Sequence, residues 1–458
     1  MTLDAVAIED IVMLQFHVLS FEGPDSYARA GGIASRITGL TQSLADAGFE
    51  THLWFVGDPD LPGHEQRGNL HLHRWCQWIS RHHGGGVYQG EFAKADDYAS
   101  SLPPYVAQHH ILPHVNKGGT VAVLAEEWHT AHAVLHLDYL LHRSGARAKT
   151  NLLWNANNTF GFHLIDWAKL ARASTVTTVS RYMKYLMRPL GVDPLVIPNG
   201  LDDEAFGVPD RDALVEMYTR FNDRPVLVKM ARFDPDKRWT LAIDTTAELK
   251  RRGRRPLFIA RGGKEAHGHE VMQRAVAAGL RIRERSLPQP GSRGLLESLQ
   301  DVDDADIVLV NSHVDPEARR VLFRGANAVL ANSGHEPFGL VGLEVMAAGG
   351  VACTGCSGED YAVPGQNALV LEKNDPREFV QLFERMNHDD EEELRRSGRR
   401  TAKQYLWERV IKRALLPRVD SSVGSIHPLP KRSIELVQCI DEDASDRVGQ
   451  PPTRRTAT

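Results

Sequence analysis

The sequence predicts an α/β protein with two successive doubly wound, Rossmann-like domains. Short, nearly continuous apolar segments alternate with segments whose apolar residues recur at helical spacing, which is typical of parallel sheets covered by helices. This alternation occurs twice along the 458 residues, with a restart near residue 224. Hydrophobic residues make up 42% and charged residues 25%, as in an ordinary globular protein. We therefore expect two domains that face each other across a cleft.

The first half begins with a strand, a glycine-containing loop, a helix and a second strand. The helical pattern runs over residues 33–47 and is closed by Gly48. Such a strand–loop–helix–strand unit is the building block of a doubly wound sheet. The strands predicted for this half are 11–19, 51–56, 120–125, 151–154 and 175–179.

The second half repeats the pattern after a turn at Pro198-Asn199-Gly200 and a linker near 205–224. We assign residues 1–205 to an N-terminal domain and 206–400 to a C-terminal domain. Residues 418–458 lose periodicity and are rich in Pro and Ser, which predicts a mostly disordered tail. The strands predicted for this half are 225–230, 256–259, 307–310 and 328–331.

Charge and composition exclude several classes of protein. Lys and Arg number 54 against 59 Asp and Glu, a net charge of −5, which disfavours a nucleic-acid binder. No run of about 18 apolar residues predicts a transmembrane helix. Asp4, Glu9 and Asp10 stand where a signal peptide needs basic residues. We therefore expect a cytoplasmic protein, with its oligomeric state left open.

Two groups of metal-binding residue types were weighed for a metal site. Cys353 and Cys356 have redox or zinc spacing, but no second Cys or His pair completes a site, so we expect buried small residues. Residues 60–118 are rich in histidine. A metal site there is conceivable, but we favour surface and loop histidines.

The most informative segment is EPFGLVGLE, which runs from Glu336 to Glu344 after a predicted strand. A helix opens near Gly339, and amides at a helix N-terminus attract phosphate. Glu336 precedes the helix and can face a ligand at its tip, whereas Glu344 lies a turn inside and could hold a diol. The spacing alone fits a loop acid and a helix-surface acid equally well.

A second cluster, ARFDPDK, places Arg232 and Lys237 after the predicted strand 225–230. Ligands of open α/β sheets bind at the carboxyl ends of the strands. An Arg fork and a Lys point charge suit a diphosphate there, although a solvated basic loop is the competing interpretation.

Together these segments resemble the retaining, nucleotide-sugar-dependent glycosyltransferases of the GT-B fold, in particular glycosyltransferase family 4 and its glycogen and starch synthase relatives. The E-x7-E signature matches at Glu336 and Glu344, and R-x4-K matches at Arg232 and Lys237. The P-N-G turn before the linker matches as well. The resemblance covers roughly residues 10–415.

Two further segments carry the resemblance in the first half. The glycine-rich loop matches at Gly31 and Gly32, with Arg29 where glycogen synthases have Lys. Residues 126–130, EEWHT, are similar to the family's D-W-H-T element on the sugar and acceptor side. The resemblance therefore places Glu127 and His129 on that side, together with Arg29.

The resemblance implies a donor site in the second domain. Arg232 and Lys237 would neutralise the donor diphosphate, and the backbone amides of Leu340 and Val341 would cap it. As in the family, a helix over residues 401–417 would cross back to the first domain.

The two glutamates and the two glycines receive roles in the same way. Glu344 would hold the ribose hydroxyls, and Glu336 would contact the transferred sugar. Gly31 and Gly32 would let the first domain's backbone approach the phosphate and sugar, since they carry no Cβ. One departure is Asn155, which stands where family members usually have His and which cannot carry charge.

The implied activity is that of a hexosyltransferase that moves a sugar, glucose first of all, from a nucleotide-diphosphate sugar to a carbohydrate or other hydroxyl acceptor. No metal or other cofactor is expected. An α-glucan synthase, an enzyme that glycosylates a small sugar or polyol, and a non-catalytic GT-B sugar-binding scaffold remain alternatives. The RAGG and EEWHT segments lean towards the synthase. The nucleobase and the acceptor stay open.

Overall fold

The computed structural model describes residues 13–422, which form two α/β domains built around one sheet each. In the first sheet the strand order is β3-β4-β2-β1-β5-β6-β7-β8, and only the β3–β4 pair is antiparallel. These strands are β1 (Leu14–Leu19), β2 (Glu50–Val56), β3 (His64–Arg67), β4 (Leu70–Trp75), β5 (Thr120–Glu126), β6 (Thr150–Ala156), β7 (Thr175–Thr178) and β8 (Leu195–Val196).

The second sheet is parallel throughout, in the order β11-β12-β10-β9-β13-β14-β15. The central strand is therefore β9, and the strand order changes direction between β9 and β13. These strands are β9 (Val226–Met230), β10 (Leu257–Arg261), β11 (Ile282–Arg285), β12 (Ile307–Val310), β13 (Ala328–Ala331), β14 (Ala352–Thr354) and β15 (Leu369–Val370).

Helices connect the strands in both domains. The α-helices of the first domain are Gly32–Asp46, Gln77–Ser80, Glu91–Val106, Leu112–Asn116, Ala131–Ser144, Trp167–Ala173 and Arg181–Met187, with a π-helix at Ala107–Ile111. Those that follow are Arg211–Arg220, Trp239–Arg251, His267–Ala277, Gly291–Ser298, Pro316–Gly325, Leu340–Ala347, Pro376–Arg385 and His388–Ala402. None of the helices within residues 13–422 has the length and apolar character needed to cross a bilayer.

Every strand predicted from the sequence is present, and burial explains why. All residues of β5 after the first are buried, so its apolar run has no polar face. The strands that were missed are short or polar. The sequence of β4 is LHLHRW, and its histidines interrupt the apolar run by which the other strands were predicted. The expectation of loop and surface histidines is wrong here, because His71 is half-buried and His73 is buried within this strand.

The two cysteines with metal-like spacing are separated by their surroundings. Cys353 is buried in β14, as expected for a small core residue. Cys356 is exposed in the following loop, so that expectation is wrong for it. Both are free thiols.

The chain returns to the first domain at Leu406. The amide of Leu201 donates to the carbonyl of Tyr405 at 2.7 Å, and the amide of Trp407 donates to the carbonyl of Leu201 at 3.1 Å. These bonds pair the returning chain with the segment that left the first domain. The predicted crossover helix 401–417 is consequently interrupted, because one helix ends at Ala402 and the next begins at Trp407.

After the crossing, an α-helix (Trp407–Val410), a π-helix (Ile411–Leu415) and a final α-helix (Leu416–Ser422) follow. Trp407, Val410, Ile411 and Leu415 join the core between β1 and the helix Gly32–Asp46. The final helix extends past residue 418, where the tail was predicted to start. The rest of that predicted tail lies outside the described residues.

Trp407 fits against two glycines at the crossing. A Cβ on Gly39 would lie 2.2 Å from the Trp407 Nε1, and one on Gly200 would lie 2.3 Å from its Cδ2. Trp407 is only 2% exposed. Two backbones therefore approach the indole closely, which needs glycine at both positions.

We predict that Trp407→Ala lowers the free energy of unfolding by about 3–5 kcal/mol, because it leaves a cavity between three chain segments. Urea unfolding followed by fluorescence or circular dichroism measures the change. Trp78→Ala is the matched control, since Trp78 is 62% exposed, and its effect should stay within about 0.5 kcal/mol. Equal effects of the two variants would contradict the anchoring role of Trp407.

Candidate active site

An ion pair joins two loops at the carboxyl edge of the second sheet. Lys237 ends the short 3-10 turn that follows β9, and Glu336 precedes the helix Leu340–Ala347. The Lys237 Nζ donates to the Glu336 Oε2 at 2.7 Å. The Lys237 and Glu336 side chains are 24% and 18% exposed, so the pair is accessible to a ligand. The structure thus brings these two predicted residues together.

The tip of the helix Leu340–Ala347 has its backbone amides available to an anion. Its N-cap is Gly339 in the left-handed region (φ 81°), and no side chain described in the structure caps it. A Cβ on Gly339 would lie 2.6 Å from the Cγ of Glu359, so the position needs glycine for conformation and for space. Leu340 and Val341 begin the helix, as the sequence predicted.

Glu359 is a functional candidate that sequence reasoning missed. It lies behind the helix tip, and its Oε1 is buried with no hydrogen-bond partner among the described residues. Burial, with the nearby charge of Glu336 adding to it, raises the pKa of Glu359 to about 7. No sequence motif marks Glu359, which follows Ser357 and Gly358 in a loop.

Arg232 lies at the same edge as Lys237. Its backbone carbonyl accepts a hydrogen bond from the Trp239 indole at 2.7 Å, which fixes the loop. Its side chain is exposed and makes no hydrogen bond or ion pair with any other residue in the described range 13–422. An exposed guanidinium in the loop that also carries Lys237 adds positive charge at this edge of the sheet.

Glu344 faces a cavity beneath the interdomain linker. An Arg319 guanidinium nitrogen lies 3.4 Å from the Glu344 Oε2. Burial raises the pKa of Glu344, while the charge of Arg319 opposes that shift. Leu340 and Asp202 line the same cavity. A diol that binds Glu344 would therefore share this carboxylate with Arg319.

The glycine loop of the first domain lies opposite. A Cβ on Gly31 would have no neighbour within 4 Å, and one on Gly32 would meet only the Leu340 Cδ1, at 3.9 Å. The contact with Leu340 shows that this loop reaches the helix tip of the second domain.

Backbone amides of that loop donate hydrogen bonds to a carboxylate, which the sequence did not predict. The Glu22 Oε2 accepts hydrogen bonds from the amides of Ala30, Gly31 and Ala34 at 3.1–3.3 Å. The Tyr88 hydroxyl donates to the Glu22 Oε1 at 2.5 Å. Glu22 thus caps the N-terminus of the helix Gly32–Asp46 with its own negative charge.

Asn155 belongs to a buried network rather than to an open surface. Its amide donates to the Glu126 Oε2 at 2.8 Å, and its Oδ1 accepts from the Thr177 hydroxyl at 3.0 Å. The other side of Glu126 is bound by Arg36 Nε at 3.2 Å. Asn155 is only 4% exposed. Its contacts support Glu126 and Thr177 inside the sheet.

Glu127 is held in an unusual conformation directly above this network. Its φ is 67°, which is strained for a residue with a side chain. The Asn157 amide donates to its Oε1 at 2.6 Å. Burial is the main cause that raises the pKa of Glu127 to about 8, and the charge of Glu126 adds to it. At neutral pH the Glu127 carboxyl is therefore mainly protonated and can donate to a hydroxyl.

His129 is a neutral, stacked imidazole. Its ring lies on Phe21 with centroids 4.0 Å apart, and its Nε2 donates to the Glu91 Oε1 at 2.7 Å. Burial lowers the pKa of His129 to about 3, so we assign a neutral ring. The Nδ1 is buried and has no partner among the described residues, which leaves one acceptor for a hydroxyl.

Arg29 is exposed and donates to the carbonyl of Pro24 at 3.1 Å, within its own loop. Two contacts bridge the domains nearby. The Arg181 amide donates to the Asp360 Oδ2 at 2.7 Å, and the Tyr182 hydroxyl lies 2.9 Å from the His335 Nδ1. These contacts set the two carboxyl edges face to face.

The comparisons with known proteins agree with this architecture. Residues 30–205 match the description "Glycosyltransferase Family 4", and residues 210–405 match "Glycosyl transferases group 1". A D-inositol 3-phosphate glycosyltransferase of Geodermatophilus obscurus is 26% identical over 240 residues, 50% of this chain and 48% of that protein. The alignment thus spans about half the length of this curated relative.

Solved structures show the same fold at low identity. A sucrose-phosphate synthase from Thermosynechococcus elongatus has a TM-score of 0.59 and 17% identity, covering 88% of this chain and 98% of that one. A trehalose-6-phosphate protein from E. coli, bound with UDP-2-fluoro glucose, has a TM-score of 0.59 and 13% identity, covering 88% and 99%. The two domains, their facing edges and both family matches make this chain a member of the GT-B glycosyltransferases.

We predict that Glu127→Gln changes the pH dependence of stability. Because its folded pKa, about 8, exceeds the usual value of 4.5, the folded protein keeps a proton that the unfolded chain loses between these values. Stability from this group therefore falls as pH rises through that window, by about 1.4 kcal/mol per pKa unit. A glutamine at this position does not titrate. The free energy of unfolding of the variant, measured by urea titrations, should therefore rise relative to that of the wild type between pH 5 and pH 8. A pH-independent difference would contradict the raised pKa.

Proposed function

We propose that this protein is a retaining glycosyltransferase that transfers a sugar, glucose in the first instance, from a nucleotide-diphosphate sugar to a small hydroxyl acceptor. The observation that carries the proposal is the placement of Lys237, held against Glu336, and of the helix tip at Gly339 at the carboxyl edge of one sheet, with Arg232 in the loop that ends at Lys237. A diphosphate fits this cluster because guanidinium, ammonium and helix amides all favour negative charge.

Donor binding exchanges partners at the ion pair. In the structure Lys237 is bound to Glu336. When a diphosphate arrives, Lys237 turns to its oxygens and Glu336 becomes available to the hydroxyls of the sugar. Arg232 and the amides of Leu340 and Val341 complete the charge balance, and Glu344 exchanges Arg319 for the ribose diol.

The transfer breaks the bond between the anomeric carbon and the diphosphate oxygen. Negative charge grows on the leaving diphosphate, and the preorganised Arg232, Lys237 and helix tip stabilise it most in the transition state. The acceptor hydroxyl forms the new bond from the same face of the sugar, which retains the configuration. Its proton passes to an oxygen of the departing diphosphate, so no protein base is required.

The acceptor side is supplied by the first domain. Protonated Glu127 can donate to a hydroxyl, and His129 Nδ1 can accept from one. The structural neighbours named for sucrose-phosphate and trehalose-phosphate synthesis support a small acceptor, free or phosphorylated. Incorporation of label from a nucleotide glucose into glycogen would favour the glucan synthase instead.

We predict that Arg232→Ala and Lys237→Ala each lower turnover by about 10- to 150-fold without unfolding the protein. A charge-assisted hydrogen bond to phosphate contributes roughly 1.5–3 kcal/mol, and about 1.4 kcal/mol is a tenfold change. The loss should be larger in kcat than in donor KM, because the charge grows in the transition state. Glu344→Gln should mainly raise donor KM, since the ribose does not change during the reaction.

Steady-state kinetics with UDP-glucose and a panel of sugars, polyols and their phosphates measures these effects. Lys169→Ala is the matched control, because Lys169 is an exposed lysine paired only with Asp166 on the helix surface. Melting curves establish that each variant is folded. Wild-type turnover in folded Arg232 and Lys237 variants would refute the donor-site assignment and favour a sugar-binding scaffold.

We also predict that transfer does not require a divalent cation, because protein cations and helix amides take the place of one at the diphosphate. Turnover in excess EDTA should match turnover in magnesium within about twofold. Complete loss of turnover that magnesium restores would show that a metal balances the diphosphate instead.

A further inference from the structure

A row of histidines lies on one face of the first sheet, away from the donor site. His17, His52 and His71 are register partners on β1, β2 and β4. The His17 and His52 rings stack with centroids 4.7 Å apart, and His52 and His71 stack at 4.6 Å. Glu50 precedes His52 by two residues, so it lies on the same face.

Hydrogen bonds determine which nitrogen of His52 is unprotonated. The Trp54 indole is only a donor, so the His17 Nδ1, 3.1 Å away, accepts. The His17 Nε2 then carries the proton and donates to the Gln15 Oε1 at 3.0 Å. The Gln15 amide nitrogen therefore faces the His52 Nε2, 3.2 Å away, as a donor.

That chain leaves a lone pair on the His52 Nε2 facing a carboxylate. The His52 Nδ1 keeps the proton and donates to the His73 Nε2 at 2.9 Å. The Glu50 Oε1 lies 3.2 Å from the His52 Nε2. In the structure this lone pair accepts the Gln15 N–H, and a cation bound beside the Glu50 carboxylate would take the place of that donor.

We propose that Glu50, His52 and His71 bind one divalent transition-metal ion of the Zn²⁺ class. One ligand atom from each of the three residues lies within 4.8 Å of the others, which small side-chain rotations reduce to the spacing around one ion. Two imidazoles and a carboxylate are a favoured donor set for Zn²⁺, and water completes the tetrahedron.

The surroundings suit a metal site. The Glu50 side chain is 50% exposed and the His52 side chain 4%, which gives an entry path to a buried ligand.

The location indicates a structural role. Glu50 begins β2 and His71 lies near the start of β4, so the site is at the amino edge of the sheet. The donor and acceptor groups lie at the carboxyl edges. A metal here ties β2 to β4 and stabilises the folded chain by binding it in preference to the unfolded chain.

The test uses the full chain without an affinity tag, stripped with chelator and titrated with ZnCl₂. We expect calorimetry to give one zinc per chain and melting to shift upward, with no such shift in MgCl₂. Glu50 and His71 lie at the accessible side of the site. His71→Ala and Glu50→Gln should therefore each weaken zinc binding by at least about tenfold. His142 is an exposed histidine on the helix Ala131–Ser144, so His142→Ala is the matched control and should bind zinc as the wild type does.

Zinc binding of equal strength in His71→Ala, Glu50→Gln and the wild type would overturn the proposal, as would the absence of saturable one-to-one binding. The variants must also keep the wild-type kcat without zinc, because the site is remote from the cleft. A zinc-dependent kcat would overturn the structural role. This result is separate from the donor-site tests, which change residues of the other domain.

Discussion

The arrangement of the two domains depends on the point where the chain crosses back at Leu406. There Leu201 pairs with the backbone on both sides of Leu406, and Trp407 is buried against Gly39 and Gly200. One indole thus contacts the helix after the glycine loop, the interdomain linker and the returning chain. Because that helix begins beside Leu340, the crossing also determines how the glycine loop meets the donor site.

The two domains bring opposite charges to the candidate site. The second domain offers Arg232, Lys237 and a helix tip, whereas the first domain presents carboxylates, including Glu22 on the amides of its own glycine loop. Under the proposed function, a leaving diphosphate would bind on the side of the second domain. The opposite wall, with Glu127 and His129 in uncharged forms, is suited to hydroxyl groups.

The strands, and the meeting of Lys237 with Glu336, were predictable because they depend on local pattern. Apolar runs mark buried parallel strands, and Lys237 and Glu336 occur at fixed distances from two of them. Glu22 and Glu359 were not predictable, since they reach the site through loops without a motif. The histidines of β4 were wrongly predicted to lie in loops for a related reason. Polar side chains that hydrogen-bond or stack with one another inside a sheet have the same local pattern as loop residues.

Hydrogen–deuterium exchange with and without saturating UDP-glucose tests the central claim, that the diphosphate binds between the loop after β9 and the tip of the helix Leu340–Ala347. Residues 231–238 and 337–342 should gain protection together, and Lys237→Ala should remove both effects. Protection of only one of these segments, or protection confined to the first domain at saturation, would contradict it.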